Sequence, residues 1–350
     1  LGEETGLLTR EEAALLACEG IEPGAADALR SFLRDAMPEL AEHMEPGLTL
    51  VDAVDRFDPV VMGYDGLLEE ASEWEHPYSA SGLERLARCP LDFFFRYVLH
   101  IRPLNEEAKA YRLEARELGD HVHRVLEAVY RDLDEQGLLR RGVDVETLIT
   151  AGRRSLDDRW DMAMEPLSRR LSSRFPQLLE HSRTTWREEL EAFLARDLER
   201  LAEGGHELVS AEGTWVAPLT LPEGGEVMLQ GIPDRVTRDE NGLVLVSDYK
   251  TSGGIENWVT PKKYLTGVKI QLPLYVLLAR EKEATDSVEA ELLGLGPSFL
   301  PDRGFARTGK PVRLRMSGFE KHLEGFRETL AALINESRRG RFPFHAEHHC

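Results

Sequence analysis

At Glu207 the spacing of apolar residues changes from a period of about 3.6 to a period of 2, a switch from helix faces to strands. Beyond it, ELVSAEGTWVAP, EVMLQGIPDRVTR and GLVLVSDYK read as three strands, with turns signalled at Pro222–Gly225 and at Asn241-Gly242. An Asn-Gly pair between apolar runs marks a hairpin, so the second and third of these segments should pair antiparallel. Upstream, residues 106–136 read as one long helix ended by Gly137, and 144–204 as further Arg-rich helices closed by Gly204-Gly205. Downstream, 268–283 returns to helix, 288–298 and 312–316 to strand, and 317–339 to a closing helix. This order predicts a mixed α/β (α+β) fold, a central mixed β-sheet flanked by helices, with a helical insertion at about 144–204.

The 350 residues amount to roughly two domains at about 150 residues each. Residues 1–75 are acidic and punctuated by Pro23, Gly24, Pro38, Pro46, Gly47, Pro59 and Gly63. They read as short helices and a tether without chemistry, and 76–350 as the domain that carries it. At the start of that domain Ser81 and Glu84 have the spacing of a capping box. Pro90 can open a second helix, whose apolar face is Leu91, Phe94, Phe95, Val98 and Leu99. The first residues, LGEETGLLTR, carry neither a starting Met nor a leader pattern and read as a fragment boundary.

A net charge of −20 excludes a uniformly basic body drawn to nucleic acid by bulk charge, while leaving room for a local basic groove. No run of 18 apolar residues offers a membrane span. Cys18, Cys89 and Cys350 are too few and too scattered for a disulfide framework, which points to a reducing cytoplasm.

The chemistry-bearing residues gather in the strands and adjoining helices. Asp234 ends one predicted strand, and Asp248-Tyr249-Lys250 ends the next. Positions two apart share a strand face, so Asp248 and Lys250 point the same way. The predicted hairpin lays Asp234 beside Asp248. Carboxylates converging at a sheet end suit Mg²⁺ or Mn²⁺. The plainer alternative is a set of strand-end charges, with Asp248 paired to Lys250 or Arg235.

Five segments, in order, resemble the PD-(D/E)XK nuclease superfamily, in particular the RecB/AddB-type exonuclease domains with their restriction-endonuclease-like core. They are Ser79-x-Ser81-x-Leu83 with Cys89-Pro90, Phe93, Tyr97 and Leu99; Gly119-x-x-x-His123; Gly231-Ile232-Pro233-Asp234-Arg235; Asp248-Tyr249-Lys250-Thr251; and Gln271-x-x-x-Tyr275. The resemblance implies a metal-dependent deoxyribonuclease joined to a helicase or helicase-like partner in double-strand-break repair, with residues 1–75 the end of an upstream helicase-like body. It implies that Asp234, Asp248, the Tyr249 carbonyl and His123 hold the ion, and that Lys250 handles the attacking water and the phosphate. Gln271 and Tyr275, one turn apart on a helix, reach the same place. His121 competes with His123, whose spacing from Gly119 favours it. Glu212 is open between an extra ligand, an acid behind the ligands and a solvated strand position. The rival reading is a DNA-holding or assembly module that keeps the fold without cutting.

In such nucleases Cys89 can join three C-terminal cysteines around a 4Fe–4S cluster; here only Cys350 stands in a matching place, and four ligands are the rule. A zinc site on His345, His348, His349 and Cys350 competes with a frayed polar tail. Lys262, Lys263 and Lys269, and Arg303, Arg307, Lys310, Arg313 and Arg315, read either as DNA-phosphate contacts or as solubilising charge. Gly304 to Lys310 fits the start of a phosphate-binding loop, but Pro311 stands where its hydroxyl should be, which argues against ATP.

Overall fold

The computed structural model describes residues 76–101, 115–171, 176–222, 224–251, 255–295 and 311–343, with positions 31 and 38. The chain divides by its internal packing into Leu1–Leu67 and Leu68–Cys350, and both sheets belong to the second unit. The expected short helices of 1–75 lie outside the described residues except at positions 31 and 38.

Each of the first two predicted strands is broken into two. β1 (Tyr78–Ser79) pairs parallel with β4 (Glu226–Gly231), which pairs antiparallel with β3 (Trp215–Thr220) in a three-stranded sheet. A five-stranded mixed sheet has the order β2 (Glu207–Ala211), β5 (Arg235–Arg238), β6 (Val244–Lys250), β7 (Val288–Gly294) and β8 (Val312–Arg315). Thus ELVSAEGTWVAP feeds one sheet and then the other, and EVMLQGIPDRVTR does the same in reverse. The causes are local. Glu212 takes the left-handed conformation, φ 53°, which no strand continues through. Pro233 has no N–H to give to a ladder.

The β5–β6 hairpin forms as the Asn-Gly pair foretells. Gly242 supplies a φ of 83°, and the Asp239 carboxylate accepts the N–H groups of Asn241 and Leu243. β6 and β7 run parallel, joined through α7 (Gln271–Glu283). α7 is apolar along most of its length because it is covered on most sides.

The segment expected as an insertion, about 144–204, packs against the helix that precedes it. α3 (Ala115–Glu135), α4 (Val145–Leu171) and α5 (Pro176–Glu203) pack around Val122, Leu126, Val129 and Leu133 of α3, with Leu156, Trp160, Leu194 and Leu198. Those α3 positions recur at helical spacing, one face pressed into the core. Further helices among the described residues are α1 (Ala80–Arg88), α2 (Pro90–Phe93) running into a π-helical turn over Phe94–Val98, α6 (Pro261–Tyr264), α8 (Met316–Phe319) and α9 (Leu323–Arg338). Phe342 stacks on Phe93 and Phe94, with ring centroids 6.2 and 5.0 Å away. No described helix is long and apolar enough to cross a membrane.

Candidate active site

The two strand breaks face each other: the Glu212 N–H donates to the Asp234 carbonyl at 3.1 Å. This contact brings the Glu212 and Asp234 carboxylates together at the seam between the sheets. α3 adds His123, whose Nδ1 lies 3.0 Å from Asp234 Oδ1. α3 can approach because residue 119 is glycine; a Cβ there would lie 3.1 Å from Thr251 Oγ1. One donor atom from each of His123, Glu212 and Asp234 lies within 4.8 Å of the other two.

Burial and the neighbouring Asp234 push the Glu212 carboxyl up to about 7. Burial likewise raises Asp248 to about 6, against the attraction of Lys250 and with Asp234 adding to the rise. Burial alone lowers His123, but its hydrogen bond to Asp234 and the charges of Asp234 and Asp248 carry it above its ordinary value. Carboxylates converging beside an imidazole form a donor set that fits a divalent metal ion.

Asp248 lies beside Asp234 across the hairpin and on the same strand face as Lys250, with which its carboxylate forms an ion pair; at 2.6 Å it also accepts from Gln271 Nε2. Gln271 also donates to Tyr275 Oη at 3.1 Å, and Tyr275 Oη donates to the Ile232 carbonyl at 3.0 Å. Gln271 and Tyr275 therefore tie α7 to the Asp234 segment and to Asp248 at once. The approach depends on Gly231, where a Cβ would fall 2.7 Å from Leu278 Cδ1 and 2.8 Å from Tyr275 Cε1. The Tyr249 backbone N–H donates to Asp234 Oδ2, fixing that carboxylate from β6.

Three features of the site are not legible in the sequence. Ser81 and Glu84 do not form a capping box: Ser79 is the N-cap of α1, its Oγ accepting from Gly82 N at 3.1 Å. Glu84 instead reaches α7, where Oε1 accepts from Ile270 N and Gln271 N at 2.8 and 3.3 Å. Of the two partners that the plainer alternative offered Asp248, Lys250 pairs with it, whereas Arg235 lies on the opposite strand face and is fully buried. It pairs with Asp197 of α5, which also receives Tyr130 and Arg200. Arg200 bridges on to Glu291 at 2.7 Å. Glu212 is one open alternative among several by its residue type, and nothing in that type writes its left-handed backbone.

His121 turns away, 3.1 Å from Arg124. Lys269 stands 4.1 Å above the Trp258 ring and 3.6 Å from Glu84, while Lys262 is exposed and Lys263 half-buried. On edge strand β8, Arg313 is paired to Glu291 and Arg315 to Glu289. Arg303, Arg307, Lys310, Cys18, Cys350 and the histidines at 345, 348 and 349 lie outside the described residues. Cys89 is buried and disulfide-bonded. It is the lone cysteine among the described residues, so the donors there do not fill a cluster's set of four.

Residues 77–350 match the PD-(D/E)XK nuclease superfamily. The chain belongs to this superfamily. Its name is spelled here by Pro233-Asp234 and by Asp248-Tyr249-Lys250, the pair of motifs that the hairpin brings side by side. A subunit of the ATP-dependent helicase/deoxyribonuclease of Caldanaerobacter subterraneus subsp. tengcongensis is 24% identical over 297 residues, covering 75% of this chain and 24% of that protein. The chain thus spans about a quarter of the length of the curated relative it matches.

Proposed function

We propose that the chain is the nuclease part of a longer helicase–nuclease, a Mg²⁺- or Mn²⁺-dependent deoxyribonuclease that trims DNA ends in the cytoplasm during double-strand-break repair and recombination. The observation that carries this is the placement of the His123, Glu212 and Asp234 donors beside a lysine–aspartate pair on a neighbouring strand. His123, Glu212 and Asp234 would hold the ion, with Asp248 and the Tyr249 carbonyl completing its surroundings. A divalent ion so held lowers the pKa of a bound water and neutralises charge that grows on a phosphodiester.

The chain's own groups do the rest. Lys250 orients the attacking water and stabilises charge on the phosphate oxygens. Asp248 holds the Lys250 ammonium in place, and Gln271 fixes Asp248. Tyr275 locks the Ile232–Asp234 segment from below.

The similarity to a helicase/deoxyribonuclease subunit supports DNA as substrate and a helicase as partner. A non-cutting assembly module predicts loss of Asp234, Asp248 or Lys250, and all of them are present and in reach of one another. The test is digestion of end-labelled single-stranded and duplex DNA with Mg²⁺ or Mn²⁺, beside Asp248→Ala and an EDTA control. Metal-dependent shortening from the ends, lost in the variant, is the expected result. Cleavage that survives the substitution overturns the reading.

A further inference from the structure

The Tyr249 side chain takes no part in the chemistry above, which uses only its backbone. Asp248 and Lys250 occupy one face of β6, so alternation sends the Tyr249 ring to the other, toward α3 and α5. There it stands edge-on to the His123 imidazole, with ring centroids 5.9 Å apart and planes at 82°. The Tyr130 ring of α3 stacks beside it at 6.4 Å and 13°, and the Phe193 ring of α5 meets it edge-on at 5.7 Å. The Arg235 guanidinium lies 5.8 Å from its centre and is itself held by Asp197. Enclosed on these sides, Tyr249 is 1% exposed, and a ring packed this closely has little room to turn.

His123 is less secured. Its side chain is 26% exposed, and its hydrogen bond to Asp234 fixes Nδ1 while leaving the rest of the ring free to pivot about that point. The edge of the Tyr249 ring supplies a second point of contact, and edge-to-face aromatic pairs favour one mutual orientation. The same residue also holds the acceptor of that hydrogen bond, because its backbone N–H donates to Asp234 Oδ2. The Tyr249 hydroxyl makes no hydrogen bond of normal geometry among the described residues, which leaves the ring as the part of the side chain that meets His123.

We propose that the Tyr249 ring is a positioning residue for His123, keeping the imidazole in the orientation in which it gives a nitrogen to the metal ion. The inference rests on the metal-dependent nuclease reading and adds to it how the nitrogen ligand is kept in place.

The test measures Mn²⁺ binding by the whole chain, from the paramagnetic resonance of the free ion, in a double-mutant cycle. Tyr249→Leu should weaken binding about tenfold, the loss expected when a group that orients a metal ligand is removed. Tyr249→Phe, which keeps the ring, should bind Mn²⁺ as the wild type does. In a His123→Ala background Tyr249→Leu should cause no further loss, because the ring acts through the imidazole. Tyr249→Met fills the space more readily and repeats the comparison if the leucine variant folds poorly. Wild-type Mn²⁺ affinity in Tyr249→Leu overturns the proposal and leaves the metal centre standing. A tenfold loss that recurs in the His123→Ala background also overturns it, since a general loosening of the core gives that result. Equal losses in Tyr249→Phe and Tyr249→Leu assign the effect to the hydroxyl and overturn it as well. Absence of Mn²⁺ binding by the wild type removes the metal centre, and the positioning role with it.

Discussion

The Glu212 N–H and the Asp234 carbonyl oxygen meet at 3.1 Å, where two strands leave one sheet and enter another. The β2–β5 register ends at Ala211 and Arg235, so Glu212 and Asp234 stand opposite each other in the next step, where cross-strand side chains share a face. The breaks let both carboxylates turn into the seam, toward His123. The left-handed Glu212 and the donor-less Pro233 each weaken the local ladder. What they give in return is two acids at one spot.

Crowding these acids has a consequence for pH. Glu212 rises from 4.5 to about 7 and Asp248 from 3.8 to about 6 in the folded protein. A carboxyl raised on folding binds its proton more tightly when folded, so its stabilisation is complete below the ordinary value and lost as pH climbs through the raised one. The metal-free protein should therefore lose thermal stability between about pH 4 and pH 7 through these groups. Mn²⁺ should restore the loss, with a Tm increase that grows with pH, and Glu212→Gln should flatten the upper part of the profile. Calorimetry with and without Mn²⁺ reads this out; a metal-induced shift independent of pH counts against it.

Arg235 is buried against Asp197, with its guanidinium 4.6 Å from the centre of the Tyr130 ring. Arg235→Met removes this cation and leaves buried Asp197 with Arg200 and the Tyr130 hydroxyl, a change expected to cost about 3–5 kcal/mol. Urea unfolding measures it. Arg235→Lys should recover only part, because an ammonium cannot reproduce the planar fork. Full recovery by lysine would mean that charge alone matters there.

The contrast between Asp234 and Arg235 shows what the sequence could and could not tell. Strand alternation put Asp248 and Lys250 on one face, and the Asn-Gly turn placed Asp234 beside them; both hold because period and turn chemistry are local. The same alternation sends Arg235 to the opposite face, where it meets Asp197 of α5. No local pattern names Asp197 as its partner, 38 residues away. Glu84 is a second case: its spacing from Ser81 fits a capping box, yet Ser79 already caps α1, and the freed carboxylate crosses to α7. Long-range partners of this kind depend on tertiary packing. The sheet switch is likewise hidden, because nothing in the residue type of Glu212 writes a positive φ.

Glu84 accepts the N–H groups that open α7, the helix that carries Gln271 and Tyr275. Glu84→Ala should cost about 1 kcal/mol, as for the loss of a helix cap. It should also lower kcat, since Gln271 then holds Asp248 less firmly. Glu84→Gln keeps an acceptor oxygen and should regain most of the rate. Steady-state cleavage of an oligonucleotide separates the cases: a rise in KM with kcat unchanged would show that Glu84 touches the substrate and does not position the helix.

The most direct check of the metal centre is a Mn²⁺ titration of the wild type and of Asp234→Asn, following binding by calorimetry and DNA cleavage in the same solutions. The account predicts that binding and cleavage rise together in the wild type and are lost together in Asp234→Asn. Mn²⁺ binding of wild-type strength in Asp234→Asn, or cleavage that proceeds without the ion, would contradict it.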